Sequence, residues 1–176
     1  MHDERPDEEL MALVARGDAT ALESLYSRWE RPLYQFLARH TGGRDVDDLH
    51  QETWLRVVRA SARYDPARRF STWLFQIALN LCRDWGRRPP PEPIDPASIR
   101  EPVAEHSDRD AALDVARLLS ALPEEQRAAV VLRYCHDLPE DEVAMILDVP
   151  RGTVKSRLHA AVRRLVALVR EPRGRP

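Results

Sequence analysis

Pro139-Glu-Asp-Glu-Val-Ala-Met-Ile-Leu147, the turn Asp148-Val-Pro150, then Arg151-Gly-Thr-Val-Lys-Ser-Arg-Leu158 and His159-Ala-Ala-Val-Arg-Arg-Leu165 form the stretch that decides the fold. Val143, Ile146 and Leu147 fall on one face of a short helix, with small Ala144 where two helices cross closely. Val154, Leu158, Ala161 and Leu165 repeat at three to four residues and give a second, longer helix its buried face. Arg151, Lys155, Ser156, Arg157, His159, Arg163 and Arg164 fill much of the rest of that helix. A short helix, a tight turn and a basic helix read as a helix-turn-helix whose second helix fits a DNA major groove. Arg, Lys and Ser reach base edges or phosphates there, and the free amides at the helix start favour a phosphate. An ordinary helical hairpin with a basic solvent face is the plainer alternative. The turn chemistry and the concentration of charge favour DNA.

Outward from this motif, helical spacing continues. Leu113, Ala116, Leu119 and Leu122 make one stripe, and another helix follows Pro123. Upstream, Leu22, Leu25, Tyr26, Trp29, Leu33, Phe36 and Leu37 make a long one. Val46, Leu49, Trp54 and Val57 suggest a helix after the Gly42-Gly43 break. Leu74, Ile77, Ala78, Leu81, Cys82 and Trp85 suggest another, opening at Ser71 or Thr72 and closing at Gly86 and Pro89. No alternating strand pattern and no internal repeat occurs. Pro89, Pro90, Pro91, Pro93, Pro96 and Pro102 mark a semi-extended linker. The chain therefore reads as all-α: two small helical domains, residues 8–88 and 109–170, joined by a proline-rich linker at 89–108.

Composition limits the function. In 176 residues, 27 are basic and 29 acidic, for a formal net charge of −2. That balance hides segregation: residues 56–90 hold eight arginines against two aspartates, and residues 151–176 hold eight cations against Glu171. Two basic blocks separated by acid suggest two contacts with a polyanion. No run approaches the ~20 apolar residues of a membrane span. The acidic start, Met1 to Glu9, is unlike a secretory signal. Cys82 and Cys135 lie too far apart to suggest a disulfide framework, which fits a reducing cytoplasm. Cys135-His136 has no second pair at zinc-site spacing, and no phosphate loop or nucleophile elbow is present. No metal, no cofactor and no enzymatic activity are expected.

Leu122-Pro-Glu-Glu-Gln-Arg127, Leu132-Arg-Tyr134 and Gly152-Thr-Val-Lys-Ser-Arg-Leu158 resemble region four of bacterial RNA polymerase sigma factors, in the compact extracytoplasmic-function form. Gly17-Asp-Ala-Thr-Ala-Leu22, Leu25-Tyr26 and Asp45-Val-Asp-Asp-Leu-His-Gln-Glu-Thr-Trp54 independently resemble region two. Pro139 stands where many members carry a Ser or Thr cap, and Ala160 where some carry a basic contact. The resemblance implies a protein that binds core RNA polymerase and directs promoter-specific initiation. It places Arg151, Thr153, Lys155, Ser156, Arg157, His159 and Arg163 on the minus-thirty-five duplex. It places Asp45, Asp48, Gln51 and Glu52 on the polymerase, where Asp48, Gln51 and Glu52 share one helix face. Ala60-Ser-Ala-Arg-Tyr-Asp-Pro-Ala-Arg-Arg-Phe70 and the following helix resemble the element that captures the melted minus-ten strand. Single-strand capture calls for a shaped or aromatic pocket, amide edges and a basic track. Tyr64, Asn80 and the loop backbone answer the first two, and Arg56, Arg59, Arg63, Arg68 and Arg69 the third. Trp73, Phe75 and Cys82 read as core. A free-standing DNA-binding regulator and a nucleic-acid-processing enzyme are the competing readings. The resemblance also implies an anti-sigma factor as partner. Folding of the acidic residues 91–150 onto the basic blocks is the intramolecular alternative.

Overall fold

The computed structural model describes residues 3–87 and 109–170, and the proposed linker at 89–108 lies outside them. The front half runs α1 (Asp7–Val14), α2 (Ala19–Thr41), α3 (Val46–Ala60), a 3-10 turn at Ser61–Arg63 and α4 (Phe70–Gly86). The back half runs α5 (Arg109–Ser120), α6 (Glu124–Val130), a π-turn at Val131–Cys135, α7 (Glu140–Leu147) and α8 (Arg151–Arg170). No strand occurs among the described residues, and the all-α expectation holds.

Local chemistry sets the helix ends. The Asp18 carboxylate accepts the amides of Thr20 and Ala21 at 2.9 and 3.1 Å and starts α2. Gly42, at φ 69°, ends it in the left-handed conformation that glycine adopts without a Cβ penalty. Between these caps Leu25, Leu33, Phe36 and Leu37 are fully buried, as the 3–4 spacing requires. Leu49 and Val57 of α3 and Leu74, Phe75, Leu79 and Leu81 of α4 close the same core.

Two features of the front half differ from the sequence reading. Helix α1 is not marked by any long stripe, yet it buries Leu10 and Met11 completely. Its Asp7 accepts the Trp29 indole N–H at 2.8 Å and Arg28 at 2.7 Å. Helix α4 opens at Phe70, ahead of Ser71 and Thr72, because its cap comes from a distant residue. The Phe70 amide donates to the Glu8 carboxylate of α1 at 2.9 Å. Thr72 is buried and turned toward α7 instead.

The back half packs α6, α7 and α8 around Val131, Leu132, Val143, Ile146, Val154 and Leu158. The π-turn that extends α6 lies outside what helical spacing reveals. The core does not stop at the boundary between the halves, since α7 lies against α4 and α5 and α6 lie against α2. The His136 ring sits 4.9 Å from Phe75 and 6.0 Å from Phe36. The Arg127 guanidinium donates to the His40 carbonyl at 2.7 Å. The Arg69 guanidinium meets the Glu142 carboxylate at 2.5 Å.

Candidate binding faces

Helices α7 and α8 form the helix-turn-helix. Asp148 ends α7 at φ 54°, and the Val149 amide donates to the Ala144 carbonyl at 3.1 Å. Thr153 and Val154 then donate to the Pro150 carbonyl at 2.8 and 3.3 Å, which starts α8. Val154, Leu158 and Ala161 face inward, which leaves Arg151, Lys155, Ser156, His159 and Arg163 on the outer face. Two of the seven expected contact residues sit differently. Thr153 is half-buried, and its carbonyl accepts the Ser156 hydroxyl. Arg157 is turned inward, with a side chain only 17% exposed, and bonds Glu125 of α6 at 2.7 Å. It braces α8 against α6.

The outer cations already have acidic neighbours. Arg151 lies 3.0 Å from Glu140 and 3.2 Å from Asp141, while Lys155 stands 4.0 Å from Glu140. The Glu140 hydrogen bond, with Asp141 nearby, pushes the Arg151 pKa further up. Exposed pairs of this kind are weak and screened by solvent, so a phosphate can displace them.

On α3, Asp48 and Gln51 are exposed on one face. Their companions are engaged within the chain. Glu52 pairs with Arg56 at 3.1 Å and Arg59 at 3.8 Å, and Asp45 accepts the Trp85 indole N–H at 3.0 Å. Beside Gln51 runs an apolar groove of about 460 Å³ between α2 and α3, lined by Leu22, Tyr26, His50, Trp54, Leu55 and Val58. Sequence reading missed this groove. Leu55 and Val58 lie outside the buried stripe at helical spacing, and that was the available signal.

The loop after α3 holds the remaining candidates. Tyr64 is 9% exposed, with its ring 5.0 Å from Trp73 and its hydroxyl donating to the Arg68 carbonyl at 2.5 Å. Burial pushes its pKa well up and keeps it neutral. The ring therefore supports the loop from beneath and presents no stacking surface in this conformation. Arg68 donates to Gln76 at 3.1 Å, and Arg56 also lies 3.7 Å from Asp84. Asn80 is exposed, its carbonyl oxygen 3.4 Å from Arg83. Phe75 is buried in the core, Trp73 is half-buried, and Cys82 is buried with its thiol pushed up to about 12. Among the described residues no three His, Cys, Asp or Glu side chains gather as a metal site. No helix there is long and apolar enough to cross a membrane.

Residues 25–88 match the family model for sigma-70 region 2, and residues 112–165 match that for sigma-70 region 4. The chain is 40% identical to the ECF RNA polymerase sigma factor SigM of Mycobacterium tuberculosis over 171 residues, spanning 94% of this chain and 86% of that protein. It is 30% identical to the ECF RNA polymerase sigma-E factor of Escherichia coli, over 92% of this chain and 93% of that one. Among solved structures it resembles CnrH in complex with the cytosolic domain of CnrY, with a TM-score of 0.74 and 30% identity over 93% and 96% of the two chains. A likeness of fold alone, TM-score 0.64 at 22% identity over 86% and 98%, extends to the sigma factor RpoE in complex with the anti-sigma factor NepR from Bartonella quintana. With both regions matched and relatives covering nearly its whole length, this chain belongs to the extracytoplasmic-function sigma factors of bacterial RNA polymerase.

Proposed function

We propose that this sigma factor reads a two-part promoter, with α8 on the minus-thirty-five element as duplex and the 61–69 loop with α4 on the melted minus-ten strand. Residues 8–88 form the polymerase-binding and minus-ten unit, 89–108 the linker and 109–170 the minus-thirty-five unit. The observation that supports this reading best is the outer face of α8, where Arg151, Lys155, Ser156, His159 and Arg163 stand exposed behind a helix-turn-helix. On α3, exposed Asp48 and Gln51 meet core polymerase, with Asp45 and Glu52 shaping the same face. Asn80, Arg56, Arg68 and Arg69 accept the melted strand, while Tyr64 holds the loop in shape. The chain is not an enzyme; bond-forming chemistry belongs to the polymerase. The apolar groove between α2 and α3 suits an amphipathic segment, which supports an anti-sigma factor among the partners. Run-off transcription with purified core polymerase tests the whole reading. A free-standing regulator binds DNA and starts no transcript.

Lys155→Ala should weaken binding to the minus-thirty-five duplex. A lost phosphate contact lowers the slope of log affinity against log salt by about 0.9, whereas a lost base contact costs roughly 1–3 kcal/mol and relaxes specificity. A salt titration distinguishes the two, and unchanged affinity at every salt concentration places Lys155 away from DNA.

Asp48→Ala combined with Gln51→Ala should weaken core polymerase binding about tenfold, equivalent to about 1.4 kcal/mol. Both residues are exposed, and an exposed polar substitution usually changes folding by no more than about 0.5 kcal/mol. Circular dichroism should therefore be unchanged. An unaltered binding isotherm would remove this face from the interface.

A further inference from the structure

Glu142 is a carboxylate on the first helix of the helix-turn-helix, and it is 6% exposed. Burying a carboxylate is costly unless it is paired and hydrogen-bonded. Among the described residues its side-chain hydrogen-bond partners both come from the other half of the chain. Arg69 donates at 2.5 Å, and the Thr72 hydroxyl donates at 3.4 Å. Both sit at the start of α4, where the proposed minus-ten loop ends. The burial of Glu142 is therefore a property of the docked arrangement and not of the helix-turn-helix by itself.

We propose that Glu142 is a latch that registers the helix-turn-helix on the start of α4 and holds the free sigma factor closed. The docking has an apolar centre and a polar margin. Phe36, Phe75 and His136 supply the centre, and the Arg127 guanidinium on the His40 carbonyl fixes one side. The Glu142 carboxylate with Arg69 and Thr72 fixes the other. The Arg69 side chain is 69% exposed, so solvent screens the pair and its net strength is small. Its weight lies in alignment: without Arg69 opposite, Glu142 would face a buried surface with its charge uncompensated.

The closed form conflicts with the proposed promoter reading, on which this inference rests. Arg69 cannot serve Glu142 and a phosphate together, and α7 covers the entrance to α4. Size adds a second conflict. A compact chain of this length has a radius of gyration of about 16 Å. A minus-ten and a minus-thirty-five element lie roughly 25 base pairs apart, about 85 Å of duplex at 3.4 Å per pair. The two halves must part to occupy both. Engaging polymerase and promoter then releases a pair that is weak enough to exchange.

Small-angle X-ray scattering of the free, full-length chain tests the latch independently of promoter reading. The wild type should be compact, near the value for a closed chain. Glu142→Lys, which sets a cation against Arg69, should raise the radius of gyration by several ångströms with helicity retained. Arg69→Glu alters an exposed side chain and should open the chain in the same way, which covers the case in which the Glu142 variant loses its fold. Combining Arg69→Glu with Glu142→Arg reverses the pair and should restore compaction. A wild-type chain that is already extended, reversals that stay compact, or a combined variant that stays open would each overturn the latch. Wild-type run-off transcription reports separately on the promoter reading, so failure of that reading is not mistaken for failure of the latch.

Discussion

Phe36→Ala is expected to lower the unfolding free energy by about 3–5 kcal/mol, the usual cost of emptying a fully buried phenylalanine site. Phe36 has no exposed surface and stands where the two halves meet. Its ring stacks on His40 at a 5.6 Å centroid distance and a 4° interplanar angle, with Phe75 at 5.2 Å and His136 at 6.0 Å. Those rings come from α2, α4 and the segment just after the π-turn. Their attachment to three different elements limits how far the site can collapse, which puts the cost toward the upper end of the range. Denaturant unfolding at neutral pH measures it. A loss below about 1 kcal/mol would mean that the junction repacks freely and is not a shared core.

Acid should destabilise the fold through His40 and His136. Burial, with Arg127 and Arg83 nearby, lowers the His40 pKa to about 4. Burial, together with Arg39 and against the pull of Asp137, lowers that of His136 to about 4 as well. Glu124 lies 3.9 Å from the His40 Nε2 but is largely exposed, and burial outweighs it. Both folded values lie below the ordinary 6.5, so the unfolded chain binds protons first and stability is lost as pH falls. The loss begins near pH 6.5, grows toward pH 4 and levels off below it. A tenfold difference in proton affinity between the folded and unfolded chain is worth about 1.4 kcal/mol. On that scale His40 accounts for about 3 kcal/mol, and the less buried His136 for less. Carboxylates titrate in the lower part of this window, and a variant separates them from the histidines. His40→Gln should flatten the stability profile between pH 6.5 and 4 relative to wild type. Parallel profiles would show that His40 takes no part in the acid limb.

Much of the architecture was legible because helices announce their buried faces. Leu25, Leu33, Phe36 and Leu37 recur at the spacing that one helical face demands, and the turn at Asp148 with Pro150 closes a helix-turn-helix that can be read directly. The site was legible less evenly. Asp48, Gln51, Lys155, Ser156, His159 and Arg163 are exposed as their helical positions predict. Arg157 and Tyr64 share the same motifs but are turned inward, because partners distant in sequence hold them: Glu125 for one, Trp73 and the Arg68 carbonyl for the other. Glu142 was invisible for the same reason. Within its own helix it is one of three consecutive acids, and only the fold brings Arg69 to it across 73 positions. Periodicity reports which way a side chain faces relative to its own helix. It says nothing of which other helix arrives there.

Helix α1 carries a consequence for any loss of the first ten residues. Met11 lies inside it, fully buried, four residues beyond Asp7 and three beyond Glu8. A chain lacking residues 1–10 would contain every residue proposed to meet DNA or polymerase. It would lack both carboxylates that tie α1 to the rest: the acceptor for the Trp29 indole and the cap on the Phe70 amide. The first turn of α4 would then begin with that amide uncapped, directly after the 61–69 loop. A shortened chain would keep its list of contacts and lose the geometry that presents them, so the first turn of α1 sets the rigidity of a surface far downstream.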